Sequence, residues 1–241
     1  MSSSYAYYRI FGYVATILMH VTNIVYMARG MEGDVRTDPE VKRFAELQAR
    51  FFTCWTFFLQ IVYALTGLTC DLLILLNSKE KYRLPKHLKG FRETLFSGIL
   101  FPSSFLVFSV FWTIYLYDRS LIFPEFVDKV LTPTSNHVIH TAIIPVVLWE
   151  VWFQPRNVPK SHSRNLKHLT FHMLLYLCVL IYTYVERGVW LYPVFKIIYG
   201  TIYMPLLIVT LGILVVIFYF MQWILVSCLW GSAEQHTKIK R

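Results

Sequence analysis

Long apolar runs separated by short charged segments set the pattern of this chain. Nineteen residues free of Asp, Glu, Lys and Arg separate Arg9 from Arg29, twenty separate Arg50 from Asp71, and twenty-four separate Glu93 from Asp118. Another twenty lie between Lys129 and Glu150, seventeen between His168 and Glu186, and thirty-seven between Lys196 and Glu234. A helix needs roughly 20 apolar residues to cross the hydrocarbon core. Each window but the last fits one crossing. The last is too long for one and too short for two with a turn, so its first part is expected at the interface and its span from about Pro205. The pattern predicts an all-α polytopic transmembrane bundle of about six helices, near 10–28, 51–76, 94–117, 136–153, 169–186 and 205–230, with no soluble domain. Strands would be interrupted by turn signals every ~5–6 residues, and a lipid-facing barrel would alternate; these runs do neither. The amphipathic stretch Ser120–Leu131 is where the helix count is most open, because it fits an excursion into the interface that does not cross.

Composition agrees. Hydrophobic residues make up 56% of the chain and charged residues 15%, against about 25% charged in soluble domains. Cys54, Cys70, Cys178 and Cys228 all lie inside apolar runs, so no disulfide framework is expected. The first eight residues lack a basic region, and no cleavage pattern follows the first apolar run; that helix is expected to remain as a signal anchor.

Charge gives the orientation. With six crossings, one side receives Arg9, the 77–93 and 154–168 loops, the carboxyl-terminal tail and the helix-end residues Asp71 and Glu150, with fourteen basic and five acidic residues in all. The other side has nine of each, so the whole formal charge of +9 falls on one face. The positive-inside rule makes that face cytosolic, with both termini on it. The membrane is that of the endoplasmic reticulum or the cell surface. The excess charge suits anionic lipid headgroups, and no nucleic-acid motif accompanies it.

Polar residues inside a membrane are costly and ask for a reason. Asp71 and Glu150 read as interfacial ion-pair partners of the basic loops, and His20 and Asn23 as helix-packing groups. His168 and His172, at i and i+4, have the spacing of a metal or haem ligand pair or of a polar stripe. At the opposite end of the bundle, Thr53 opens the second predicted helix, and Asn136-His137-Val138-Ile139-His140-Thr141 opens the fourth. Asp118, Arg119, Glu186 and Arg187 end helices there too. A hydroxyl, a base, carboxylates and cations at one depth are the parts for nucleophilic acyl transfer. From the residues alone, the ordinary alternatives stay open: a threonine bonded to the carbonyl one turn back, and a histidine that packs helices.

The segment Phe101-Pro102 with Val107 through Arg119, then Ile122-Phe123-Pro124, Asn136-His137-x-x-His140-Thr141 and Trp190-x-Tyr192-Pro193, resembles the androgen-induced gene family. Arg50-Phe51-Phe52-Thr53 is similar to that family's aromatic run ending in its reactive threonine. The likeness covers most of the chain from about residue 50. It implies a multi-pass membrane hydrolase that cleaves fatty acid esters of hydroxy fatty acids, needs no cofactor, and uses Thr53 as nucleophile and His140 as general base. His137 would support them. Thr56, one turn on, offers an alternative hydroxyl. Arg50 or Arg119 is expected to bind the substrate carboxylate, Asn136 and nearby Tyr and Thr groups to hold water, and Asp118 to orient a histidine. Two rival readings remain: a lipid-binding regulatory protein without turnover, and a metal or haem protein using His137, His140, His168 and His172, whose two pairs the topology sets at opposite ends.

Overall fold

The computed structural model describes residues 3–77 and 83–239, and these are helical nearly throughout. Residues 78–82, 240 and 241, whose charges enter the count above, lie outside the described residues. The helices are α1 Ser3–Gly30, α2 Pro39–Leu47, α3 Phe52–Leu76, α4 Lys86–Thr94, α5 Phe101–Asp118, α6 Pro133–His140, α7 Ile143–Phe153, α8 Ser163–Arg187, α9 Pro193–Ile198 and α10 Tyr203–Ile239. Among the described residues, five stretches are long and apolar enough to cross a membrane: Tyr5–Gly30, Phe52–Leu76, Lys86–Leu121, Ser163–Arg187 and Tyr203–Gly231. The sixth predicted segment is the pair α6 and α7, neither long enough to cross alone.

Prolines explain the two irregular helices. Pro145 has no N–H for the carbonyl of Thr141, one turn earlier, and its ring crowds that carbonyl. The helix opens there: Ala142 N reaches back five residues to His137 O at 2.9 Å. Pro102 has the same relation to Gly98, and a π-helical turn, Leu95–Leu100, joins α4 to α5. Gln222 of α10 donates to the carbonyl of Ser97 in that turn at 2.7 Å. The long helix starts at Lys86, well before residue 94, because the charged Arg92 is buried inside the bundle and does not mark its edge.

Asp71 and Glu150 pair with the basic segments as expected, and both pairs are buried in the bundle, with Arg9, Arg92 and Arg156. Arg9 makes a two-pronged contact to Asp71, at 2.7 and 2.9 Å. Arg92 lies 3.5 Å from each carboxylate. Arg156 donates to Glu150 at 2.8 Å, Tyr13 donates to it at 2.7 Å, and Tyr63 donates to the oxygen that Arg156 also holds. Gly67 makes room for Tyr13: a Cβ there would stand 2.5 Å from its ring. In mid-bundle, His20 of α1 meets Gln60 of α3 at 2.8 Å, and Gln60 donates onward to Ser104 of α5 and to Ile143 O of α7.

The opposite end is closed by short elements. Ser120–Leu131 does not cross; it forms 3₁₀ turns at Arg119–Leu121 and Glu125–Lys129. Phe123, Val127 and Leu131 pack there against Met27, Phe111 and Ile139. The amphipathic α2 lies beside it, with Phe44 on Phe126 and Phe51, and Lys129 paired to Asp38 at 2.6 Å. Gly188, in the left-handed region at φ 65°, ends α8 and turns the chain toward α9.

Removing one partner of a buried ion cluster leaves the others unpaired. Glu150→Ala should therefore cost about 3–5 kcal/mol or prevent folding. Equilibrium unfolding in detergent micelles reads this, and an unchanged midpoint would show that the cluster adds no stability.

Candidate functional site

Thr53 stands on the first turn of α3, where the helix has only just begun. That placement decides what its hydroxyl does. Thr16, Thr56, Thr66, Thr69, Thr183 and Thr210 all bond the carbonyl four residues back. For Thr53 that carbonyl belongs to Ala49, outside the helix, and it accepts from Trp55 Nε1 at 2.8 Å. The Thr53 hydroxyl instead faces His140 Nε2 at 3.4 Å. Thr56, the alternative hydroxyl, is fully buried and its hydroxyl donates to Phe52 O.

The His140 ring is fixed on three sides. Phe111 stacks on it, with centroids 3.4 Å apart and planes 5° from parallel. Its Nδ1 lies 3.1 Å from the backbone carbonyl of Asn136 and 2.7 Å from the Asn136 side-chain oxygen. A carbonyl can only accept, so Nδ1 carries the proton and Nε2 presents its lone pair to Thr53. Asn136 thus takes the orienting role expected of Asp118. The Asp118 carboxylate instead caps the next turn, accepting from Ser120 N and Oγ.

Other expected residues sit elsewhere. His137 is exposed, stacked on Trp112 and 3.1 Å from Thr141 Oγ1. Three residues put it about 60° around the helix from His140, enough to turn it out of the site. Arg50 is held by Glu186 at 2.6 Å and Thr183 at 3.1 Å, and Arg119 by Asp128 at 2.6 Å. Neither arginine lines the cavity beside Thr53. His172 is buried among the Phe52 and Trp55 rings while His168 is exposed, so this pair diverges as well. Among the described residues, no three His, Cys, Asp or Glu side chains gather as a metal site.

Two phenols join the site without a prior signal. Tyr176 and Tyr192 both accept from the backbone N–H of Phe52 at 3.1 Å, and their oxygens lie 3.0 Å apart. One hydroxyl donates to the other, which leaves one phenolic proton unspent. Burial pushes the Tyr192 phenol up to about 12, so it is a protonated donor at neutral pH. Tyr192 stood in the Trp190-x-Tyr192-Pro193 run without a role; nothing in the sequence singled out Tyr176. Thr53 and Cys54 add first-turn amides that the helix itself leaves without acceptors.

These groups meet one cavity of about 380 Å³, lined almost wholly by apolar side chains of α3, α5, α8 and α10, with Thr53, Cys54, His140, Tyr176 and Tyr192 among the polar exceptions. The fold and site define a polytopic helical membrane protein with a threonine–histidine pair in a greasy chamber. The chain belongs to the FAR-17a/AIG1-like protein family, whose model matches residues 11–226. It is 36% identical over 146 residues to the androgen-dependent TFPI-regulating protein of Homo sapiens, covering 61% of this chain and 62% of that one. The protein of the same name from Mus musculus is 40% identical over 110 residues, covering 46% and 47%. The androgen-induced gene 1 protein of Homo sapiens is 29% identical over 150 residues, covering 60% and 62%. The matches thus span about half to three-fifths of these relatives' length. No solved structure matches.

With ¹⁵N-labelled histidine, His140 should show the Nδ1–H tautomer, and Asn136→Ala should shift the population toward Nε2–H. A wild-type spectrum with Nε2–H would contradict the hydrogen-bond assignment.

Proposed function

We propose that this protein is an intramembrane hydrolase for lipid esters with two long apolar arms, with Thr53 as nucleophile and His140 as general base. Fatty acid esters of hydroxy fatty acids are the substrate class to which the family resemblance points. The observation that carries the reading is the Thr53 hydroxyl, bonded to no helix carbonyl, facing the bare Nε2 of His140 inside an apolar cavity. The separation, 3.4 Å, is long for a hydrogen bond, and catalytic contacts of this kind tighten when substrate binds.

Each step conserves its protons. His140 Nε2 takes the Thr53 proton as Oγ1 attacks the ester carbonyl. The oxyanion is held by the spare phenolic proton of the Tyr176–Tyr192 pair and by the Thr53 and Cys54 amides. Collapse breaks the C–O bond, and His140 returns the proton to the departing alkoxide, which leaves as the hydroxy fatty acid. Water then attacks the acyl-threonine and gives a proton to Nε2; the acyl C–Oγ1 bond breaks, His140 returns that proton to Thr53 Oγ1, and the free fatty acid leaves. The excess of basic residues on the loops remote from the site favours a cytosolic position for that end and for both termini, in the endoplasmic reticulum or the plasma membrane.

Thr53→Ala and His140→Ala should each lower ester turnover at least ~10³-fold, whereas Thr56→Val should leave it within severalfold of wild type. A fluorophosphonate probe should label Thr53 in the wild type and not in the His140 variant. Full turnover by Thr53→Ala would remove this threonine as nucleophile. Intact lipid that co-purifies and persists on incubation with wild type would favour the reading as a binding protein, for which the long Thr53–His140 contact speaks.

A further inference from the structure

The cavity has a side that the helices do not close. α8 and α10 both line the cavity; side chains join them at one end, where His162 Nδ1 lies 2.8 Å from the Tyr219 hydroxyl, but elsewhere their backbones make few close approaches, although each packs on the middle of the bundle. α8 contributes Thr170, Leu174 and Leu177, and α10 contributes Ile208, Gly212 and Val216. Thr170 is exposed, Leu174 is 56% exposed and Val216 38%, while all three line the cavity. A side chain that faces both the chamber and the surroundings borders a slot. Gly212 widens it, for a Cβ built there meets nothing within 4 Å.

We infer that the slot between α8 and α10 is a lateral portal through which a fatty acyl chain of a membrane lipid passes from the bilayer into the cavity. The slot lies within two membrane-spanning stretches, so hydrocarbon is the medium at its mouth. Its walls offer apolar surface and, apart from Thr170, no polar side chain among the six. On α8 the cavity lining runs from Leu180 down to Leu169, about 16 Å at the rise of a helix. That is a length suited to an extended acyl arm, with Thr53 and His140 among the residues that line the same cavity. The substrate class rests on the hydrolase reading; the passage of an acyl chain does not, and would serve a lipid-binding protein equally.

The test uses the full chain in phosphatidylcholine vesicles carrying a diazirine-bearing palmitate. Irradiation should label wild-type residues inside the cavity, the peptide with Thr53 and Cys54 among them. Gly212→Phe should cut that labelling at least fivefold and lower long-arm ester turnover in parallel. Ile213→Phe, on the outer face of α10 and away from the cavity lining, should change neither. Should Gly212→Phe fail to fold, Leu174→Trp repeats the obstruction from the opposite rim. Undiminished cavity labelling in a folded, obstructed variant overturns the portal, as does a wild type labelled only on its outer surface. A cross-linked second copy of the chain seated on this face would also overturn it. Cavity labelling without ester turnover sinks the hydrolase reading and leaves the portal standing.

Discussion

Everything at one end of the bundle is organised around the carboxylate of Glu150. It sits in the protein interior with guanidinium groups from Arg92 and Arg156 and hydroxyls from Tyr13 and Tyr63 around it. These partners come from four different parts of the chain, so the cluster fixes α1, α3, α4 and α7 in mutual register. Between helices immersed in lipid the hydrophobic effect supplies little preference for one packing over another. An unpaired charge, by contrast, excludes wrong packings strongly. Asp71, gripped by Arg9 with Arg92 nearby, extends the same lock to the end of α3. With α3 and α7 held in this way, Gln60 sets the bundle's middle, and the far ends of α3 and α6 bring Thr53 and His140 together.

Much of this was legible from charge spacing. The five long helices follow the charge-free windows, because burying a charge is costly enough to push most charges to the ends. The same rule did not show that Arg9, Asp71, Arg92 and Glu150 are buried: paired charges can be, and charge spacing carries no information on burial. It therefore started one helix too late and did not show that the ion pairs of Asp71 and Glu150 lie inside the bundle. Pro102 and Pro145 were in plain view, and the widened turns before them follow from their missing N–H groups.

The candidate site was legible in its principals and not in its supports. Thr53 and His140 could be placed at one end of the bundle because topology alone puts the start of one helix beside the start of another. Asn136 lay in the same short run as His140, but its role depends on which way an imidazole turns within a single helical turn. The phenols of Tyr176 and Tyr192 reach the site from separate elements and meet on one backbone amide. No periodicity carries that information. α2 was hidden as well: it is short and mixed in composition, and only the packing of Phe44 shows that it covers the chamber.

Phe51 has no reactive group, yet the proposed chemistry hangs on its backbone. It is extended, at φ −73° and ψ 136°, and so marks where α3 begins. Were it helical, α3 would gain a turn: the Thr53 hydroxyl would find a carbonyl behind it, and the first-turn amides would be spent on the backbone. The boundary between coil and helix is thus what keeps these groups idle and available. A substitution at Phe51 that prolonged the helix would take the Thr53 hydroxyl away from His140 without altering either residue.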